Sequence, residues 1–151
     1  MLELLRDPAQ WAAVRDDPGL IPNAVEEGLR HASSVIAWRR RALQDVEFSG
    51  VTIPKDGKIL IALASANRDE DRFEDGERFI AGRPNARDHI AFGNGIHFCI
   101  GAPLARLELR VILEELVAAF PDMALAAGQD VGFIRTIAFR GPHALWVDLN
   151  E

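Results

Sequence analysis

A chain of 151 residues, 48% hydrophobic and 26% charged, has the length and composition of one globular domain with a modest core. Its 23 acidic residues outnumber 17 basic ones for a net charge of −6, which argues against a nucleic-acid partner, because phosphate binding is driven by clustered Lys and Arg. One cysteine excludes an internal disulfide, a zinc ribbon and an iron–sulfur cluster held by four thiolates.

The chain begins Met1-Leu2-Glu3-Leu4-Leu5-Arg6-Asp7-Pro8, acidic where a signal peptide is basic and then apolar. No apolar stretch reaches the ~18 residues of a membrane span. A cytoplasmic location without membrane association is therefore expected. Leu2 to Leu5 read as helix stopped at Asp7-Pro8, and a short helix is expected from Ala9 to Arg15, ending in the turn-rich Asp16-Asp17-Pro18-Gly19. Asn23 with Glu26 three residues on has the spacing of a capping box, which predicts a helix from there to about His31. Short strands are predicted over Val46 to Phe48, Val51 to Ile53 and Lys58 to Leu63, separated by turns at Ser49-Gly50 and Pro54-Lys55-Asp56-Gly57.

Asn67 to Asp88 is charged, rich in Pro and Gly, and without a sustained period. An irregular stretch of that length is usually functional when it is ordered. Ala102 to Phe120 carries Arg106, Arg110 and Glu114 on one stripe and apolar residues over most of the remainder, the pattern of a largely buried helix, and Pro121 closes it. Two further strands are expected near Phe133 to Phe139 and Ala144 to Leu149, around Arg140-Gly141-Pro142. Strands scattered among helices give an α+β fold, mainly helical with short antiparallel strands.

A lone cysteine is ordinarily a small buried hydrophobe, but the setting of Cys99 is special. Gly93, Gly95 and Gly101 surround it, and so many glycines imply unusual backbone angles and close approach of main-chain N–H groups. Inward-turned N–H groups form an anion-binding concavity. The residues after Cys99 open the long helix, with Pro103 in its first turn, and a helix N-terminus favours a thiolate over a thiol. A nucleotide-binding loop at Gly93-x-Gly95 fails for want of a third glycine, a phosphate-binding lysine and a preceding strand–helix context.

The string Phe92-Gly93-Asn94-Gly95-Ile96-His97-Phe98-Cys99-Ile100-Gly101 resembles the haem-binding signature of the cytochromes P-450, F-x-x-G-x-[RH]-x-C-x-G, at every fixed position. The resemblance extends along essentially the whole chain and is closest to soluble bacterial members, of whose domain it matches about the last third. It implies the C-terminal part of that fold, with residues 1–151 as a single partial domain, and haem b (iron protoporphyrin IX) as cofactor. Cys99 would be the proximal thiolate ligand and so the metal ligand, and His97 would bond a haem propionate. Phe92, Gly93, Ile100, Gly101 and Ala105 would pack against the macrocycle or shield the sulfur.

By the same resemblance Glu27-x-x-Arg30, one face of a helix, belongs to a buried triad completed by an arginine from the irregular stretch. Glu77-Arg78-Phe79 matches the segment supplying it, which points to Arg78. An arginine before a strand like Ala42 to Glu47 would meet the second propionate, which selects Arg40 or, one residue on, Arg41. Val35 would line the distal side of the haem, although Ser33-Ser34 replaces a proline usual nearby. The acid–alcohol pair that delivers protons in this family lies on a helix outside this stretch, so no catalytic residue is assigned.

The implied activity is a haem-thiolate monooxygenase, inserting one oxygen atom from O2 into a small organic substrate with electrons from a ferredoxin-type partner. Arg106 and Arg110 are candidates for docking that partner, with ordinary surface charges as the alternative. The other reading is a non-catalytic remnant or haem-binding module that completes its fold against another chain and self-associates through exposed apolar faces.

Overall fold

The computed structural model describes residues 1–150. Two short helices open the chain, α1 (Leu2–Arg6) and α2 (Pro8–Asp16). Asp7 between them caps α2, its carboxylate accepting from the Ala9 N–H at 3.0 Å, while Pro8 occupies the first turn, where its missing N–H costs nothing. A single 3-10 turn at Pro18–Leu20 leads into α3 (Ile21–Ala32). This helix starts before the expected Asn23 cap. The Asn23 amide donates instead to the carbonyls of Ala81 and Arg83, at 2.8 and 3.0 Å, and Glu26 has partners elsewhere.

Three two-stranded antiparallel ladders follow from the middle and end of the chain. β2 (Val46–Phe48) and β3 (Val51–Ile53) form a hairpin in which Glu47 faces Thr52. Ser49 and Gly50 both take positive φ at its tip, the angles that match the twist of the flanking strands. β1 (Trp38–Arg41) pairs with β4 (Lys58–Ile61), Arg40 opposite Ile59. The arginine run thus lies within β1 and, as expected, ahead of the strand that contains Val46 and Glu47. A short helix, α4 (Leu63–Ala66), takes the place of the last residues of the strand expected to run to Leu63.

The long helix α5 spans Ala102–Ala119, within a residue of its predicted bounds. It is not largely buried, however. Among its residues Ala102, Leu113 and Val117 are buried, whereas Leu104, Leu107, Leu109, Val111 and Ile112 are exposed. The chain's other helices cover one stripe of α5 only. That stripe meets Leu4 and Leu5 of α1, Trp11 and Val14 of α2, and Ile21 and Val25 of α3 in the core. The Trp11 indole N–H closes the far end on the Pro121 carbonyl at 2.8 Å.

The tail forms less sheet than its sequence predicts. β5 (Ala124–Leu125) pairs with β6 (Val147–Asp148), but Phe133 and Phe139 make only single bridges, to Pro142 and Val35. Pro142 has no N–H to extend a ladder. The Thr136 hydroxyl captures the Phe139 N–H at 2.8 Å, a local bond that competes with strand pairing.

Candidate functional site

The residues that brace the cysteine loop are the most deeply buried charges of the molecule. Glu27 and Arg30, on one face of α3, are wholly inaccessible and meet in a two-pronged pair at 2.7 and 2.8 Å. The remaining N–H groups of Arg30 go to the carbonyls of Asn67, Gly76 and Arg78 at 2.6–3.0 Å, so all five of its donors are used. The second cation is Arg83, whose Nε lies 3.1 Å from both Glu27 oxygens. Its other nitrogens collect the carbonyls of Glu74, Asp75 and Arg78.

Arg83, and not Arg78, is therefore the arginine of the triad. The Arg78 side chain is 69% exposed and pairs loosely with Asp75 at 3.4 Å, contributing only its carbonyl to the cluster. Two buried guanidiniums gather five carbonyls of the 67–83 stretch, which explains how a segment without regular structure is held in one course. Asn67 adds a link to the next segment. Wholly buried, it donates to the Ser33 hydroxyl at 2.9 Å and accepts the Ile90 N–H at 2.8 Å.

The loop then runs outward. Gly93 and Gly95 both have positive φ, 76° and 68°, a conformation that disfavours side chains. Gly95–His97 forms a single 3-10 turn. The Cys99 N–H returns to the Phe92 carbonyl at 2.9 Å and closes the loop. Cys99 itself is exposed, contrary to the ordinary burial of a free cysteine. Its sulfur would lie 3.7 Å from a Cβ on Gly101, and its carbonyl takes the first N–H of α5 at 3.2 Å.

Around the thiol the surface is apolar. Ile96 is 97% exposed, Ile100 99%, and Phe98 is half exposed. Phe92 stands 6.4 Å from Phe98, ring centre to ring centre. A soft sulfur donor ringed by apolar side chains suits a metal carried in a flat, largely apolar macrocycle. Among the described residues no three His, Cys, Asp or Glu converge on a common point, so a bare ion with several protein ligands finds no such set. The residues present fit haem.

The structure brings Phe92, Gly93, His97, Cys99, Ile100, Gly101 and Ala105 into one loop–helix junction, with Ala105 N–H on the Gly101 carbonyl at 2.9 Å. Val35 lies in the link between α3 and β1, bridged to Phe139. Arg40 is exposed on β1, its nearest partner the Arg39 carbonyl at 2.9 Å. Among the described residues no hydrogen bond or ion pair ties either of them to the loop. Arg110 is half exposed and faces Glu114 at 3.5 Å, while Arg106 turns inward to Glu26.

Sequence reasoning missed three buried groups. Arg83 stands in Gly82-Arg83-Pro84, where nothing periodic marks it. Glu26 resembled half of a capping box. His89 has no motif of its own; its closeness to Phe92 along the chain was the available signal. Their charge states follow from the packing. Burial pulls the His89 imidazole below its ordinary range despite the neighbouring Glu26 carboxylate. Burial alone would raise Glu26, but its bonds to Arg106 and His89 outweigh that and hold its carboxyl below the usual value.

A cytochrome P450 family model matches residues 10–129. The chain is 47% identical over 131 residues to cytochrome P450 107B1 of Saccharopolyspora erythraea, covering 86% of this chain and 32% of that protein. It is 44% identical over 148 residues to the 6-deoxyerythronolide B hydroxylase of the same organism, covering 97% and 36%. Among solved structures, the tirandamycin C-bound P450 monooxygenase TamI superposes with a TM-score of 0.94 at 44% identity, over 99% of this chain and 38% of that one. The chain thus spans about a third of the length of the curated relatives it matches. The matched region includes the cysteine loop and everything that braces it, so the chain belongs to the cytochrome P450 family, whose cofactor is haem b held through a cysteine thiolate.

Proposed function

We propose that this chain forms the haem-thiolate part of a monooxygenase that inserts one oxygen atom from O2 into a small organic substrate, with electrons from a ferredoxin-type partner. The observation that carries the reading is the exposed Cys99 on a glycine-rich loop at the start of α5, within the family match. Haem, when bound, supplies dioxygen activation, which a thiolate ligand favours by donating electron density. Cys99 is the proposed iron ligand. The first N–H groups of α5, which has no side-chain cap, stabilise negative charge there.

His97 and Arg40 are the proposed propionate partners, with Arg41 the neighbouring alternative, and Val35 the proposed contact on the opposite face. Phe92, Gly93, Ile100, Gly101 and Ala105 would exclude water from the sulfur, which limits its protonation and oxidation. For the redox partner, Arg110 and Arg87 present the more exposed cations, each in a long pair, with Glu114 at 3.5 Å and Glu26 at 3.4 Å, whereas Arg106 is held closely by Glu26 at 2.8 Å. An acidic partner is the chemistry they would receive. Residues 1–151 are read as one partial domain, because a single core joins α1 to β6.

The test is reconstitution with haem, reduction and exposure to CO. A strongly red-shifted Soret band reports thiolate ligation, and Cys99→Ala should abolish it. An unchanged band in that variant would remove the basis of the proposal.

A second reading, a haem-binding module that completes its fold against another chain, draws on the exposed apolar face of α5. Oxygenation of a substrate by the purified chain with reductant alone would count against it.

A further inference from the structure

The geometry points to Glu26, His89 and Arg106 as positioning residues that grip the cysteine loop from both of its ends and set the Cys99 backbone through Phe92. The inference rests on Cys99 as the iron ligand, and deepens that reading.

Glu26 is nearly inaccessible on α3, beside but outside the Glu27–Arg30–Arg83 cluster. Its two oxygens are shared by residues that flank Cys99 in sequence. From α5, after the cysteine, Arg106 donates Nε to Oε1 at 2.8 Å and Nη2 to Oε2 at 3.1 Å. From before the loop, His89 donates Nε2 to Oε2 at 3.1 Å, while its Nδ1 accepts the Ala91 N–H at 3.1 Å. Arg87 reaches the same carboxylate at 3.4 Å, but its side chain is almost wholly in solvent. One buried carboxylate therefore fixes the entry to the loop and the helix that leaves it.

The pair of grips converges on one ring. The Arg106 guanidinium lies 4.8 Å over the Phe92 ring, and the His89 ring centre is 5.9 Å from it. The Phe92 carbonyl in turn holds the Cys99 N–H at 2.9 Å. Residues 94–100 are exposed. Among the described residues no side-chain hydrogen bond runs from them to the core, so this path and the Asn67–Ile90 bond are the polar ties that steady the loop. A planar two-pronged guanidinium is what both the carboxylate and the ring require; a lysine ammonium supplies charge without the flat face.

A plain structural ion pair would alter global stability only. Positioning through Phe92 makes a different forecast, readable by amide hydrogen exchange on the haem-free chain and on its haem-loaded ferrous–CO form. Arg106→Lys should speed exchange of the Cys99 amide roughly tenfold by easing local opening. The Ile80 amide, bound to Glu27 at 2.9 Å, should stay as it was. In a Phe92→Leu background the same Arg106→Lys change should add little. Glu26→Gln, which keeps size and hydrogen-bonding oxygen, is the second variant and should speed Cys99 exchange severalfold.

Unchanged Cys99 exchange would overturn the inference. So would acceleration of Cys99 and Ile80 in step, or an undiminished Arg106→Lys effect without the Phe92 ring. The haem-free measurement is independent of iron, so it fails separately from the Cys99→Ala spectroscopic test.

Discussion

Glu26 and Glu27 are identical side chains one residue apart, and α3 turns them about 100° from each other, toward different partners. Glu27 balances two buried guanidiniums, so removing either cation strands charge in the interior. Arg83→Ala should cost about 3–5 kcal/mol of stability, whereas Arg78→Ala should stay within about 1 kcal/mol, because its side chain is exposed. Urea denaturation of the two variants separates them, and equal losses would contradict the placement of Arg83 in the triad.

Acid sensitivity is set at the same scale. Burial lowers the imidazoles of His31 and His89 below the ordinary 6.5. Against the opposing effect of its own burial, bonds to Arg106 and His89 leave Glu26 below the ordinary 4.5. All three groups bind more protons unfolded than folded, so each contributes stability that is lost as pH falls. The histidine contribution begins to fade at about 6.5 and that of Glu26 at about 4.5, each ending below its lower folded value. The urea midpoint should decline over this range, and His31→Gln should flatten the upper part of the decline. A midpoint that rises on acidification would reverse the assignment.

At the scale of elements, α5 has a clear helical sequence and an incomplete cover. Leu104, Leu107, Leu109, Val111 and Ile112 remain exposed, an apolar face that favours association in water. The chain should self-associate at micromolar concentration, and Leu109→Glu with Ile112→Lys should shift it toward monomer in sedimentation velocity. A monomer before substitution would contradict this. The irregular 67–88 stretch tolerates little change where it folds back on itself. A Cβ at Gly76 would collide with the Arg68 carbonyl oxygen, and the Gly76 carbonyl also binds Arg30. Gly76→Ala should therefore cost about 1–3 kcal/mol, measured by the same denaturation.

Over the whole molecule, haem binding and folding are linked. Haem held at a hundredfold excess over its dissociation constant should add about 2.7 kcal/mol of stability if it binds the folded chain alone. Thermal melts with and without haem measure that gain, and Cys99→Ala should reduce it. The shift should also depend on haem concentration, as mass action requires. A gain unaffected by Cys99→Ala would place the binding energy in the apolar surround and not in the sulfur.

Helix α5, the β2–β3 hairpin and the α+β class were legible because periodicity, turn chemistry and a closing proline act over neighbouring residues. The cysteine loop was legible as a motif, since glycines with positive φ and a helix start are local demands. Tertiary structure alone decided which arginine joins Glu27 and where Glu26 points. It also decided which stripe of α5 is covered and which tail residues pair. Those outcomes depend on residues 50 to 80 positions apart competing for the same buried carboxylates. Local sequence carries no register for such a competition, because the desolvation of a charge is settled only when its surroundings close around it.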